Sequence, residues 1–439
     1  MSHAVVGAMK IAVVGGGWAG MAAALAAAQA GHHVTVFEAA RAMGGRARGV
    51  PVALPDGAQS LLDNGQHILI GAYTESLRLM RLVGVDPEQA LMRLPLALCF
   101  PDGSGLALSD GPAPWDAVAG ILRARGWDWR DRIALLHAAT RWQLRGFSCA
   151  PEATVADLCA LLSRRLKDEF IEPLCVSALN TPARTASGAV FLRVMKDAMF
   201  GPLGGSNLML PRVDLGSLFP DPAARWLMQR GHRVLAGQRV KSLRWDRTGS
   251  ARPGWTIDGE LFDCAVLATP ATEAARLAVA ASVDAPEELA RDLRTWAASA
   301  DALHHQAITT VYAMSRAGLS RPMTALRASV DHPAQFVFDR SQLGGPAGLL
   351  AFVISASMGE RQALQERVVD QALIQLGLVI EPFQTLTEKR ATFSCTPALQ
   401  RPPASVARAL TACGDYVNGP YPATLEGAVR SGGMALNLP

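Results

Sequence analysis

The chain has 439 residues, of which 50% are hydrophobic and 18% charged, and its formal net charge is +4. This length and apolar content fit more than one domain with substantial cores and exclude a disordered chain, while so mild a charge gives no footprint for nucleic acid. The 7 cysteines show no C-x-x-C pair and no metal-ligand spacing, so they read as buried apolar residues of a reducing compartment.

Residues 1–9 carry no apolar h-region, which argues for a cytoplasmic protein, and no apolar run reaches the ~20 residues of a spanning helix. An apolar strand, Lys10–Val14, then runs straight into Gly15-Gly16-Gly17-Trp18-Ala19-Gly20, the pattern G-x-G-x-x-G. An alanine-rich helix is expected from about Ala19 to Ala30, followed by a second apolar strand ending on Glu38. Strand, glycine turn, helix and acidic residue in this order make a dinucleotide-binding βαβ unit. Gly15 permits the tight turn, Gly17 lets backbone approach a pyrophosphate, and Gly20 packs the helix against the strand. Trp18 and Ala19 open the helix, where free N–H groups and the helix dipole favour phosphate. Glu38 suits the ribose hydroxyls of an adenosine.

Beyond Glu38, the segment running to Gly44-Gly45-Arg46 resembles the extension of FAD domains of the amine oxidase and phytoene desaturase type, which nicotinamide dehydrogenases lack. There the two glycines expose backbone near the cofactor and the arginine supplies a permanent charge. Asp63-Asn64-Gly65-Gln66-His67 resembles a D-x-G-x-H segment that borders the flavin ring in phytoene desaturase relatives. Residues 71–200 read as largely helical, with loops at Pro95, Pro101–Gly105 and Gly111–Pro114. Pro202-Leu203-Gly204-Gly205-Ser206 and the stretch Gly231–Leu243 resemble the family's P-x-G-G segment and a strand whose valine, here Val240, clamps adenine through its backbone. A hairpin from Trp245 to Thr256, turning at Arg252-Pro253-Gly254, precedes the strand Cys264–Leu267 and its Ala268-Thr269-Pro270 end. Residues 275–395 alternate helix and strand patterns.

Near the C-terminus, Gly414-Asp415 followed by Pro422-Ala423-Thr424-Leu425-Glu426-Gly427-Ala428-Val429-Arg430-Ser431-Gly432 resembles the second FAD motif of the same families. The resemblance implies that Asp415 bonds the ribityl chain or pyrophosphate, and that Thr424 and Leu425 begin a helix aimed at the flavin. A helix N-terminus there stabilises negative charge on the ring. The expected fold is α/β, with a Rossmann-like FAD-binding domain from 8–70, 203–275 and 405–439. A discontinuous α+β substrate domain, 71–202 and 276–404, completes the plan. Neither Gly204-Gly205 nor Gly344–Gly348 completes a second dinucleotide motif, so an external electron donor is expected to reduce the FAD.

Over nearly its whole length the chain resembles the isoprenoid branch of the flavin oxidoreductases, the phytoene desaturases and the squalene-associated FAD enzymes. That resemblance implies noncovalent FAD, an isoprenoid lipid substrate, and removal of the allylic hydroxyl of hydroxysqualene in hopanoid biosynthesis. Protonation would release water and hydride from reduced FAD would fill the cation. His67 is the candidate acid, because an imidazole pKa near 6.5 suits proton donation, and Gln66 the candidate for orienting the hydroxyl. Asp63 reads as a loop-capping residue, and a structural role for His67 is the alternative to an acid. Carotenoid desaturation is the rival chemistry, with amine oxidation further away because Thr424 replaces an aromatic cage wall. A non-enzymatic carrier of prenylated partners is disfavoured by the intact flavin motifs. His32-His33 and His304-His305 are adjacent pairs unsuited to sharing a metal, and Cys395 is expected to be a buried thiol rather than a flavin attachment point. Trp115, Trp127, Trp129 and Trp142 alternate with Arg123, Arg125, Arg130, Arg132, Arg141 and Arg145. Such a stretch fits the inner face of the cytoplasmic membrane or ordinary helices with snorkelling arginines equally well.

Overall fold

The computed structural model describes residues 7–436 apart from 110, 113, 202 and 248–252, so Pro202 and Arg252 lie outside the described residues. The first strand β1 (Lys10–Val14), the helix α1 (Trp18–Gln29) and the second strand β2 (His33–Glu38) form the expected βαβ unit. β1 pairs in parallel with β2 on one side and with Cys264–Leu267 on the other. Arg233–Ala236 extends the sheet beyond β2, and Leu410–Ala412 extends it beyond Cys264–Leu267, both parallel. Ser405–Ala407 closes the far edge antiparallel, making a 6-stranded sheet. Ile11–Val14 is buried throughout, as a strand covered on both faces must be.

α1 is apolar on every side and buried along most of its length, so no face of it belongs in water. The sheet takes one side, and the helices Pro220–Met228 and Leu425–Met434 take the others. Its small residues set how closely the last helix approaches: a β-carbon on Gly432 would lie 2.2 Å from the carbonyl oxygen of Ala19.

The second body is a 5-stranded antiparallel sheet in the spatial order Met323–Ala325, Phe336–Asp339, Leu349–Ser357, His305–Ser315, Ile380–Phe393. Of the helices in the 115–199 stretch, Glu172–Leu179 packs against Leu349–Ser357 of this sheet, and the longest is Trp129–Leu144. Within that stretch, Lys167–Ile171 widens to π-helical turns inside an otherwise α-helical run.

Two expectations need correction. The 71–200 region is not only helix and loop, because Leu91–Leu94 pairs with Leu208–Pro211, and Ala97–Cys99 with Gly105–Ala107. These runs are too short to show a period, and Leu91–Leu94 becomes a strand because a distant segment lies alongside it. Val240 is in no strand. It sits in the connection between Arg233–Ala236, which ends with the parallel sheet, and Leu243–Asp246, which opens a separate 3-stranded antiparallel unit with Gly254–Ile257 and Glu260–Phe262. Trp245 and Trp255 meet there edge to face at 5.3 Å.

Candidate active site

A cleft of about 660 Å³ opens at the carboxyl ends of the parallel strands, between the two sheets. That edge is where open α/β sheets bind ligands, because loops diverge there and helix N-termini point into the gap. Every site residue expected from the sequence lines this cleft except Gly20. Gly20 instead faces the strand turn, where a β-carbon would come within 1.9 Å of Gly15 O. Gly15 has φ +118° and donates its N–H to Phe37 O at 2.7 Å, closing the turn. At Gly17 a β-carbon would meet no protein atom nearer than 3.8 Å, so packing alone does not demand glycine. The spare room suits a group that must come close to backbone.

The acidic end of β2 is tied to the same turn. Glu38 accepts from Gly16 N–H at 2.6 Å and from Ala40 N–H at 2.7 Å, and is almost fully buried. Gly44 and Gly45 both have positive φ, and Gly44 donates to Gly16 O at 2.9 Å, stitching the two glycine loops together. Arg46 donates to Ala391 O at 2.8 Å and forms an ion pair with Asp415, 369 residues along the chain. Burial opposes the Arg46 charge, but the Asp415 carboxylate beside it holds the guanidinium protonated. Thr424 caps the last helix by accepting from Gly427 N–H at 2.9 Å, which leaves Leu425 at its first position.

Sequence reasoning missed the role of Glu426. Its fully buried carboxylate accepts from the N–H groups of Glu75 at 3.0 Å and Ser76 at 2.9 Å, and from Arg430 Nε at 2.7 Å. It therefore caps the N-terminus of Thr74–Leu82 from another helix, which no local pattern announces. Asn180 was also missed. At φ +46° it ends the helix Glu172–Leu179, accepts from Ala356 N–H at 2.6 Å, and donates to Thr392 Oγ1 at 3.0 Å on the cleft wall. The signal was present: Asn before Thr-Pro is a helix-stopping sequence.

The Asp63–His67 loop turns the chain at the cleft wall. Asp63 accepts from His67 N–H at 2.6 Å and from Gly65 N–H at 3.3 Å, and its carboxylate also meets His67 Nδ1 at 2.8 Å. Burial by itself would lower the His67 pKa, but the facing Asp63 carboxylate raises it above the ordinary value. The Asp63 carboxyl is likewise held below its usual range by His67, against its own burial. Gln66, between them, has φ +48° and is buried with neither amide atom hydrogen-bonded to protein among the described residues. Trp18 Nε1, Thr269 Oγ1 and the Tyr416 hydroxyl are in the same condition.

The sequence profile described as flavin containing amine oxidoreductase matches residues 18–435. The chain belongs to that family. A hydroxysqualene dehydroxylase of Zymomonas mobilis is 26% identical over 97% of this chain and 98% of its own length, and one of Rhodopseudomonas palustris is 26% identical over 97% of both. A 15-cis-phytoene desaturase of Synechococcus elongatus is similar over 45% of this chain and 44% of its own, at 27% identity. Among solved structures, an oxidoreductase from Methanosarcina mazei superposes with TM-score 0.69 at 17% identity, covering 98% of this chain and all of that one. This last likeness establishes the fold.

A flavin-dependent oxidoreductase of this family needs a site for a flavin, and the residues fit one. Buried polar groups are rarely left unpaired. Trp18, Gln66, Thr269 and Tyr416 all line the same cleft, so a bound polar molecule there is what would satisfy them. The room at Gly17 and the helix N-terminus at Trp18 suit its phosphates. Cys395, by contrast, is not part of this cleft. It borders a smaller side cavity of about 220 Å³, and burial pushes its thiol up to about 12. Among the described residues no group of three His, Cys, Asp or Glu is placed to hold a metal ion.

Proposed function

We propose that this chain binds FAD noncovalently and removes the allylic hydroxyl of hydroxysqualene to give squalene. FAD would be held through Gly15, Gly17, Trp18, Ala19, Glu38, Gly44, Gly45, Arg46, Val240, Asp415, Thr424 and Leu425, with Gly20 setting the turn. The buried, neutral Cys395 thiol outside the cleft supports noncovalent attachment. Reduced flavin supplies the hydride that replaces the hydroxyl. An external electron donor must renew it, since no second dinucleotide motif is present.

The observation that carries the substrate reading is the His67–Asp63 pair, whose imidazole lines a cleft that also has apolar walls. Loss of hydroxide from an alcohol requires a proton on the leaving oxygen, whereas desaturation of a hydrocarbon has no leaving oxygen to protonate. His67 lines the cleft with an imidazole that the Asp63 carboxylate keeps more basic than usual, which suits it to hold and deliver a proton. Gln66 offers an unpaired amide next to it to orient the hydroxyl. Ile308, Phe336, Phe338 and Val353 line the same cleft and would keep water from the allylic cation. End-to-end likeness to hydroxysqualene dehydroxylases, against partial likeness to a carotenoid desaturase, supports the same choice.

The lipid is collected at the inner face of the cytoplasmic membrane. Trp115, Trp129, Ile133 and Leu144 are exposed on the helices Trp115–Arg123 and Trp129–Leu144, flanked by Arg123, Arg130 and Arg141. Among the described residues no helix is long and apolar enough to cross a membrane, so contact would be peripheral.

Anaerobic incubation of the reduced, FAD-loaded protein with hydroxysqualene tests the reaction. Gas chromatography of the lipid extract should show squalene formed at the expense of the alcohol. Unchanged hydroxysqualene, with conversion of phytoene by the oxidised protein, would replace this reading with a desaturase.

A further inference from the structure

Asp63 was expected to cap its loop, and it does so with two backbone bonds. Those bonds leave its contact with the imidazole unexplained: Oδ1 also lies 2.8 Å from His67 Nδ1, and the Asp63 side chain is only 5% exposed. Among the described residues no lysine or arginine pairs with Asp63, so the only cationic partner this buried carboxylate can have is the imidazolium of His67. A buried anion without a counter-charge is costly, which couples the ionisation of the two groups. Tyr312 further fixes the strand end by donating its hydroxyl to the Asp63 carbonyl oxygen.

We propose that Asp63 is a positioning residue, which turns the His67 ring so that Nδ1 is spent on the carboxylate and Nε2 is the atom that gives up the proton. This rests on the dehydroxylase reading above. Nε2 has no hydrogen-bond partner among the described residues, and the side chain of His67 is 28% exposed, on the cleft wall. In the step, the proton on Nε2 passes to the hydroxyl oxygen of the substrate. The C–O bond would break with its electron pair leaving on water, and the hydride that the allylic carbon then needs is what a bound reduced flavin would supply. His67 is left neutral, and until it regains a proton the Asp63 carboxylate has no counter-charge and is held by hydrogen bonds alone, from His67 Nδ1–H and from the N–H groups of Gly65 and His67. The other charged groups facing His67 are Arg46, whose guanidinium opposes protonation, and Glu388, which favours it. They act from the glycine loop and from the strand Ile380–Phe393, respectively, and Asp63 is the one in contact.

The decisive experiment compares wild type with Asp63→Asn, which keeps the size of the side chain and an oxygen for the backbone bonds. Both proteins are studied as FAD-loaded holoenzymes. The His67 imidazole, followed by NMR on histidine-labelled protein, should titrate above 6.5 in wild type and about one to three pH units lower in the variant. Single-turnover reoxidation by hydroxysqualene should show the falling alkaline limb of its pH profile move down by the same interval. At the acid plateau the rates should stay within about threefold, while at pH 8 they separate by about tenfold or more. A His67 titration unaltered by Asp63→Asn overturns the proposal, as does a limb that stays in place while the rate drops uniformly. If Asp63→Asn does not fold, the wild-type titration decides alone, and a value at or below 6.5 overturns the proposal. The NMR result needs no substrate. Wild type that fails to reduce hydroxysqualene therefore refutes the reaction, while the titration still judges the pair.

Discussion

At Glu38 one carboxylate fixes the turn through Gly16 and Ala40 and also faces the cleft. Glu38→Ala should therefore weaken FAD binding by about 1.5–3 kcal/mol, the range for hydrogen bonds to a charged group. That corresponds to about 10- to 150-fold in Kd, read by quenching of flavin fluorescence on titration into apoprotein. An unchanged Kd would remove Glu38 from the ribose. At His67 the expected loss is kinetic: His67→Gln should keep FAD and its reducibility but slow single turnover by about 10²- to 10⁴-fold. The same pair makes stability depend on pH at both ends. His67 binds its proton more tightly folded than unfolded, so its contribution is complete below about 6.5 and lost as pH rises through the raised folded value. Asp63 is more acidic folded than unfolded, so its contribution is complete above about 3.9 and lost as pH falls through the lowered value. Thermal melts of Asp63→Asn should consequently differ most from wild type between those limits and converge outside them.

The elements differ in how openly the sequence declares them. β1, α1 and β2 are local: an apolar run, a glycine turn and an alanine-rich stretch suffice, and their bounds follow from residues within reach of one another. The strand Leu91–Leu94 is not local, since its partner is Leu208–Pro211, and Ala97–Cys99, which pairs nearby with Gly105–Ala107, is too short to show a period. The region of Trp129–Leu144 was legible only as part of a largely helical stretch, and Trp129, Ile133 and Leu144 are exposed on that helix whereas Trp142 is buried. Trp129→Ala combined with Leu144→Ala should abolish cosedimentation with vesicles containing anionic phospholipid while leaving melting temperature within a few degrees. Retained binding would return this face to the role of an ordinary solvated helix. The hairpin Ser405–Ala412 turns through Ala409 at φ +54°, a left-handed conformation costing an alanine about 1–2 kcal/mol. Glycine loses about 0.5–1 kcal/mol of that advantage through its freer unfolded chain, so Ala409→Gly should stabilise the protein by about 0.5–1 kcal/mol in a denaturant melt.

On the scale of the whole molecule, the sequence motifs named the glycine loops, the Asp63–His67 loop and the C-terminal segment of the cleft, but neither its Asn180, Ile308 and Phe336 side nor what the named residues do to one another. Arg46 and Asp415 were each assigned to the cofactor, and the fold makes them an ion pair across 369 positions. Asp63 was assigned to its loop, and the turn at Gln66 folds His67 back onto it. Glu426 sat in a recognised motif, yet its work is to cap a helix more than 300 residues earlier. Pairings of this kind depend on φ angles and on chain crossings that one-dimensional spacing does not encode.

The contact of Gly432 with Ala19 also has a consequence for how the protein is made. α1 leaves the ribosome early, whereas the helix that covers one of its apolar sides, Leu425–Met434, is synthesised much later. At translation speeds of about 5–20 residues per second, the roughly 400 residues between them take about 20–80 s. Throughout that interval a helix with no polar face waits uncovered beside an unfinished sheet, a surface that nascent-chain chaperones recognise. Ribosome-bound chains arrested before Ser405 should therefore crosslink to such a chaperone through α1 and bind no FAD. Released full-length chains should lose the crosslink as flavin is taken up.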